Sequence, residues 1–132
     1  MIYSQLSNIM NLLVSINTNF LLAFFYSIFI LFISLIRIES QIDDISYLDK
    51  LVHTAIYFFF CLIWYNPFKD IFINKTLIYL FIFSILFGVF IEFLQEKAVY
   101  YRTAELLDIW FNVLGTIIGC SFLLLKNNIK KS

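Results

Sequence analysis

The sequence is poor in charge, in glycine and in proline. Charged side chains make up only 14% of the chain, and nine acidic residues balance nine basic ones, so the net charge is zero. A balance of this kind gives no electrostatic ground for binding nucleic acid. Three glycines and one proline leave no flexible linker and no low-complexity segment, so the chain reads as one folded unit. One histidine and two cysteines supply no His/Cys ligand spacing, and no glycine-rich phosphate loop is present, so neither a metal nor another cofactor is expected. The cysteines, Cys61 and Cys120, lie in apolar runs, each 12 residues past an acidic residue. That places both about 18 Å deep at about 1.5 Å per helical residue, where they read as small buried hydrophobes within reach of each other.

What the chain has in abundance is apolar surface. It is 62% hydrophobic over 132 residues, with a mean hydropathy of +0.91, well above a soluble domain. A chain this short offers only a few membrane crossings of about 20 residues each. The expected fold is all-α: a single domain over residues 1–132, a membrane bundle with spans near 20–36, 47–65, 76–95 and 104–125. Ahead of them, Ile2, Leu6, Ile9, Leu13 and Ile16 form a helical stripe opposite Ser4, Ser7, Asn8 and Asn11. This predicts a short interfacial helix, or else a downward extension of span one; a cleaved signal peptide is not expected. Ser46 stands three residues before Asp49, the capping-box spacing at a helix start. Asn66 and Pro67 open a predicted turn through Lys75, because proline disfavours continuation of a helix. Thr103, with Glu105 after it, is the expected cap of the last helix.

Four spans put both termini on one side. Lys and Arg number five on that side and four on the other, and setting aside Lys50 and Arg102 as site residues leaves five against two. The bias predicts cytoplasmic termini. The start of span two, the end of span three and the start of span four then share the outer face, where the awkward polar residues gather. Asp49, His53 and Tyr57 repeat at i, i+4 and i+8, with Lys50 beside them. Gly88, Glu92 and Gln95 follow one another on span three. Asp108, Asn112, Gly115 and Gly119 form a stripe on span four, and Arg102 precedes it.

Each residue has a plain structural reading. Asp49 can cap its helix, Asp108 can pair with Arg102, and Gly115 and Gly119 are a small-xxx-small pair for close helix contact. Gly88 belongs with the packing residues too. As a group, however, ionisable side chains at membrane depth cost about 2.5 to 3.5 kcal/mol each on insertion scales and mark functional sites by default.

Three blocks of these residues resemble the VanZ-like family of small bacterial integral membrane proteins: "DKLVH" with Tyr57 one turn on, "GVFIEFLQ", and "RTAELLDIWFNVLGTIIG". The resemblance covers about residues 47–122; the link 96–101 lacks the Pro or Gly that many members carry. It implies a four-helix protein of the bacterial cell envelope in the cytoplasmic membrane. The family takes its name from a member associated with resistance to teicoplanin-type glycopeptides, and most members have no assigned activity.

Three roles fit the residues. In a binding site, Lys50 and Arg102 would hold an anionic group of an envelope lipid or a peptidoglycan-related ligand, with Asp49, His53, Tyr57, Glu92, Gln95, Asp108 and Asn112 orienting it. In an enzyme acting on a lipid-linked phosphate, His53 and Glu92 would be the acid–base candidates. In a purely structural clamp, the charges would join spans two, three and four. The expected partners are membrane lipids and such a ligand.

Overall fold

The computed structural model describes residues 2–36, 45–72, 74–98 and 106–129. Among the described residues the elements are four α-helices: α1 (Ile2–Leu35), α2 (Ile45–Ile71), α3 (Thr76–Ala98) and α4 (Leu106–Ile129). Each contains a segment long and apolar enough to cross a membrane. The chain is thus a multi-pass membrane protein of the expected all-α class.

The N-terminal turns are helical, as read, and run into span one without a break. Asn17, Thr18 and Asn19 interrupt hydrophobicity there, but none removes a backbone donor. With 34 residues, α1 is about 51 Å long at about 1.5 Å per residue, against a hydrocarbon core of about 30 Å. Its apolar window is Thr18–Leu35, so the earlier turns extend beyond the crossing segment.

Two local expectations are corrected. Pro67 does not end its helix; α2 continues through it to Ile71. The Phe68 ring packs against Trp64 at 5.8 Å and Phe83 at 5.2 Å, and the Phe72 amide donates to the Phe68 carbonyl at 2.7 Å. This packing holds the turn that proline alone would disfavour. The chain then turns at Asn74 and Lys75, and the Thr76 hydroxyl donates to the Phe72 carbonyl at 2.6 Å. Ser46, read as the cap of α2, lies inside the helix, which begins at Ile45. The Thr103 cap and Glu105 fall outside the described residues.

Two kinds of contact build the bundle. Between α2 and α3, Phe60 stacks on Phe87 at 4.9 Å and Phe83 at 5.7 Å. Between α2 and α4 the backbones themselves meet. A Cβ on Gly115 would collide with the Thr54 carbonyl, and one on Gly119 would lie 2.8 Å from Cys61 Cβ and 3.1 Å from the Phe58 carbonyl oxygen. The small-xxx-small face is therefore the seam of the bundle. Cys61 and Cys120 are both free thiols, and Cys61 Sγ lies 3.5 Å from Ser84 Oγ and 3.8 Å from the Thr116 carbonyl oxygen. The first helix docks through buried Ala23 and Ile30, with Tyr26 donating to the Ile56 carbonyl at 3.1 Å and Trp64 Nε1 to Ser27 Oγ at 3.0 Å. Phe25, Phe32, Leu86 and Leu125 are exposed on the outside, where lipid would cover them.

Candidate functional site

The glycine seam sets α2 and α4 side by side with their N-terminal ends together. Asp49, Lys50 and His53 on α2 consequently face Asp108 and Asn112 on α4. The Lys50 ammonium forms an ion pair with Asp108 Oδ1 and lies 3.6 Å from Asp49 Oδ2, so it bridges carboxylates from two helices. Asp108 is 1% exposed and also occupies the first turn of α4, where the helix dipole favours a negative charge. Its two plain roles, pairing and capping, are thus filled together, with Lys50 as the described partner. Arg102, the partner expected from sequence, lies outside the described residues.

The histidine is braced. His53 Nδ1 lies 3.0 Å from Asn112 Oδ1, while Nε2 lies 3.8 Å from Asp108 Oδ2 and 3.9 Å from Asp49 Oδ1. With the amide oxygen accepting, Nδ1 carries the proton and Nε2 is the basic nitrogen, turned toward two carboxylates. Asp49, His53 and Asp108 also place three ligand atoms within 4.8 Å of one another. The Lys50 ammonium already serves two of those residues, so a side chain supplies the cation of this cluster.

Sequence reasoning passed over Thr54. Its hydroxyl donates to the Lys50 carbonyl at 3.1 Å and reaches the Phe111 carbonyl at 3.3 Å, tying the turn that carries Lys50 to α4. The available signal was its i+4 spacing from Lys50, together with the need for a partner opposite Gly115.

The remaining predicted residues lie deeper or to one side. Tyr57 is buried, and a Cβ on Gly88 would sit 3.3 Å from its hydroxyl and 3.4 Å from Asn112 Nδ2. Gly88 thus lets α3 approach both side chains. The Tyr57 hydroxyl and Asn112 Nδ2 have no hydrogen-bond partner among the described residues. Glu92 is buried on α3, one turn past Gly88. Gln95 does not join the α2–α4 network through its amide nitrogen, which donates to the Ser34 carbonyl at 2.8 Å. It ties the end of α3 to the end of α1.

Among the described residues, then, Asp49, Lys50, His53, Asp108 and Asn112 form one connected group, with Tyr57 one turn further along α2 from His53 and Glu92 buried on α3. Comparison of the chain with protein-family models, with curated proteins and with solved structures finds no match.

Proposed function

We propose that this chain is a VanZ-like protein of the bacterial cytoplasmic membrane, with cytoplasmic termini, whose polar end at the start of α2 and α4 binds the anionic group of an envelope lipid or a peptidoglycan-related ligand. One observation carries the reading: Lys50 and His53 on α2 are both held from α4, by Asp108 and by Asn112. Oriented polar side chains of this kind suit recognition. Two helix N-termini also meet there, and their positive ends favour an anion. Because Lys50 is shared between carboxylates, recognition of the anion falls chiefly to Arg102, whose planar fork matches phosphate or carboxylate oxygens.

The test is titration of the purified full-length chain with a polyprenyl phosphate, with the uncharged polyprenol as comparison. Saturable binding of the phosphate alone is expected, lost in Arg102→Lys and His53→Ala while detergent melting temperatures hold. Equal binding of polyprenol and its phosphate would refute the reading. The basic nitrogen of His53, set between two carboxylates, favours one alternative, a membrane enzyme acting on the same phosphate. Release of inorganic phosphate in that assay, abolished by His53→Ala or Glu92→Gln, would select it.

A further inference from the structure

At the other end of the bundle, residues of α2 and α4 line a cavity of about 210 Å³. Its walls divide by chemistry. Toward the membrane interior lie Leu62 and Leu123, and toward the helix ends lie Asn66, Lys69, Lys126 and Asn127. The Asn127 amide donates to the Tyr65 hydroxyl at 2.7 Å, a contact that spans the two helices beneath the lysines. Among the described residues, no carboxylate lines the space.

We infer that this cavity is a binding site for the headgroup of an anionic phospholipid, independent of the charged site at the opposite end. Lys69 and Lys126 stand in the last turns of α2 and α4. Two helix C-termini bring partial negative charge to this end, and the two ammonium groups outweigh it. A lone lysine near a helix end would only reach for the interface; here two flank one cavity between membrane helices, with amide and hydroxyl groups beside them. That arrangement suits a phosphate, and basic pockets between spans at the membrane surface take anionic headgroups. The apolar wall would receive the first carbons of the acyl chains. The lipid headgroup would thus sit between α2 and α4, beyond the glycine seam.

The test uses the full-length chain purified in an uncharged detergent, with binding of phosphatidylglycerol and phosphatidylcholine measured by native mass spectrometry and by thermal shift. The wild type should bind phosphatidylglycerol and melt at a higher temperature in its presence. The pair Lys69→Gln with Lys126→Gln should bind about twenty-five-fold more weakly, from about five-fold for each lysine removed near an anionic membrane surface. Lys75→Gln removes an exposed positive charge at the same end but outside the cavity, and should leave binding within about two-fold of wild type, as expected for a screened distant charge. Equal stabilisation by phosphatidylcholine would overturn the inference. So would a loss in Lys75→Gln as large as that in the pair, because the attraction would then belong to the whole basic surface. Failure of polyprenyl phosphate to bind at the opposite end would leave this result untouched.

Discussion

Adding one methyl group at each glycine should produce a graded response that the backbone geometry fixes in advance. At Gly115 the new Cβ would run into the Thr54 carbonyl and lie 3.1 Å from Thr54 Cα. Those are backbone atoms, so relief requires α2 and α4 to move apart. Overpacking of this kind costs about 1 to 3 kcal/mol, and a backbone obstacle places Gly115→Ala at the upper end. Alanine returns about 1 kcal/mol of helix propensity over glycine, leaving a net loss of about 2 kcal/mol. At Gly119 the obstacles are Cys61 Cβ at 2.8 Å and the Phe58 carbonyl oxygen at 3.1 Å; both are fixed to α2, but the overlap is smaller than at Gly115 and a shorter shift relieves it, so the net effect should be below about 1 kcal/mol after the same offset. At Gly88 the neighbours are the ring and hydroxyl of Tyr57 and the end of Asn112, at 3.3 to 3.4 Å. These are side-chain atoms that can give by a few tenths of an ångström, so Gly88→Ala should be neutral within about 0.5 kcal/mol. Reversible unfolding in mixed detergent micelles, followed by fluorescence of Trp64 and Trp110, measures all three. The expected order of destabilisation is Gly115, then Gly119, then Gly88. A neutral Gly115→Ala, or three equal losses, would refute the seam.

Two further perturbations test the site and its orientation. Lys50→Met should destabilise the bundle more than Asp108→Asn, because it leaves buried Asp108 without its described cation, whereas after Asp108→Asn the Lys50 ammonium still has Asp49 at 3.6 Å; the expected cost for Lys50→Met is about 3 to 5 kcal/mol, read as a shift in the same unfolding curves, and the reverse order would contradict the bridging geometry. For topology, a cysteine at Ala98, the last residue of α3, in a background lacking Cys61 and Cys120, should react with a membrane-impermeant maleimide in intact cells, and labelling only after lysis would put the charged end in the cytoplasm.

The architecture was legible because crossing a membrane takes long apolar runs, and four such runs stand out between polar breaks. The face shared by Asp49 and His53 was legible for the same kind of reason, since residues four apart on a helix stack on one side. What sequence could not supply is which partner each group takes. Pro67 looked like a stop because local preference is all a sequence shows, while the contact of Phe68 with Phe83 joins residues from two helices. The bond from Gln95 to the Ser34 carbonyl was hidden too, since nothing in either segment fixes where the end of α1 lies against α3. Gly115 and Gly119 marked a close contact, but not that Thr54 would be the residue pressed against it.

That contact bears on why the charges are there. A buried ion pair is weak evidence for stability, since apolar residues of similar volume often hold two helices as well or better. Here α2 and α4 already meet backbone to backbone at Gly115, and at Gly119 against both the Cys61 side chain and the Phe58 carbonyl, on the same stripe that carries Asp108 and Asn112. The helices would be joined along this face without a lysine between two carboxylates. Thr54 makes the dependence run the other way. It presses against Gly115 and also accounts for the hydroxyl that tethers the turn bearing Lys50 to α4, so the tight seam fixes the register in which Lys50 meets Asp108 and His53 meets Asn112. If the charges were the fastener, loosening the seam would be tolerated while they stayed paired. If the seam is the fastener, a methyl at Gly115 displaces the charged end as well, and binding should fall in Gly115→Ala even though no ligand-facing side chain has changed.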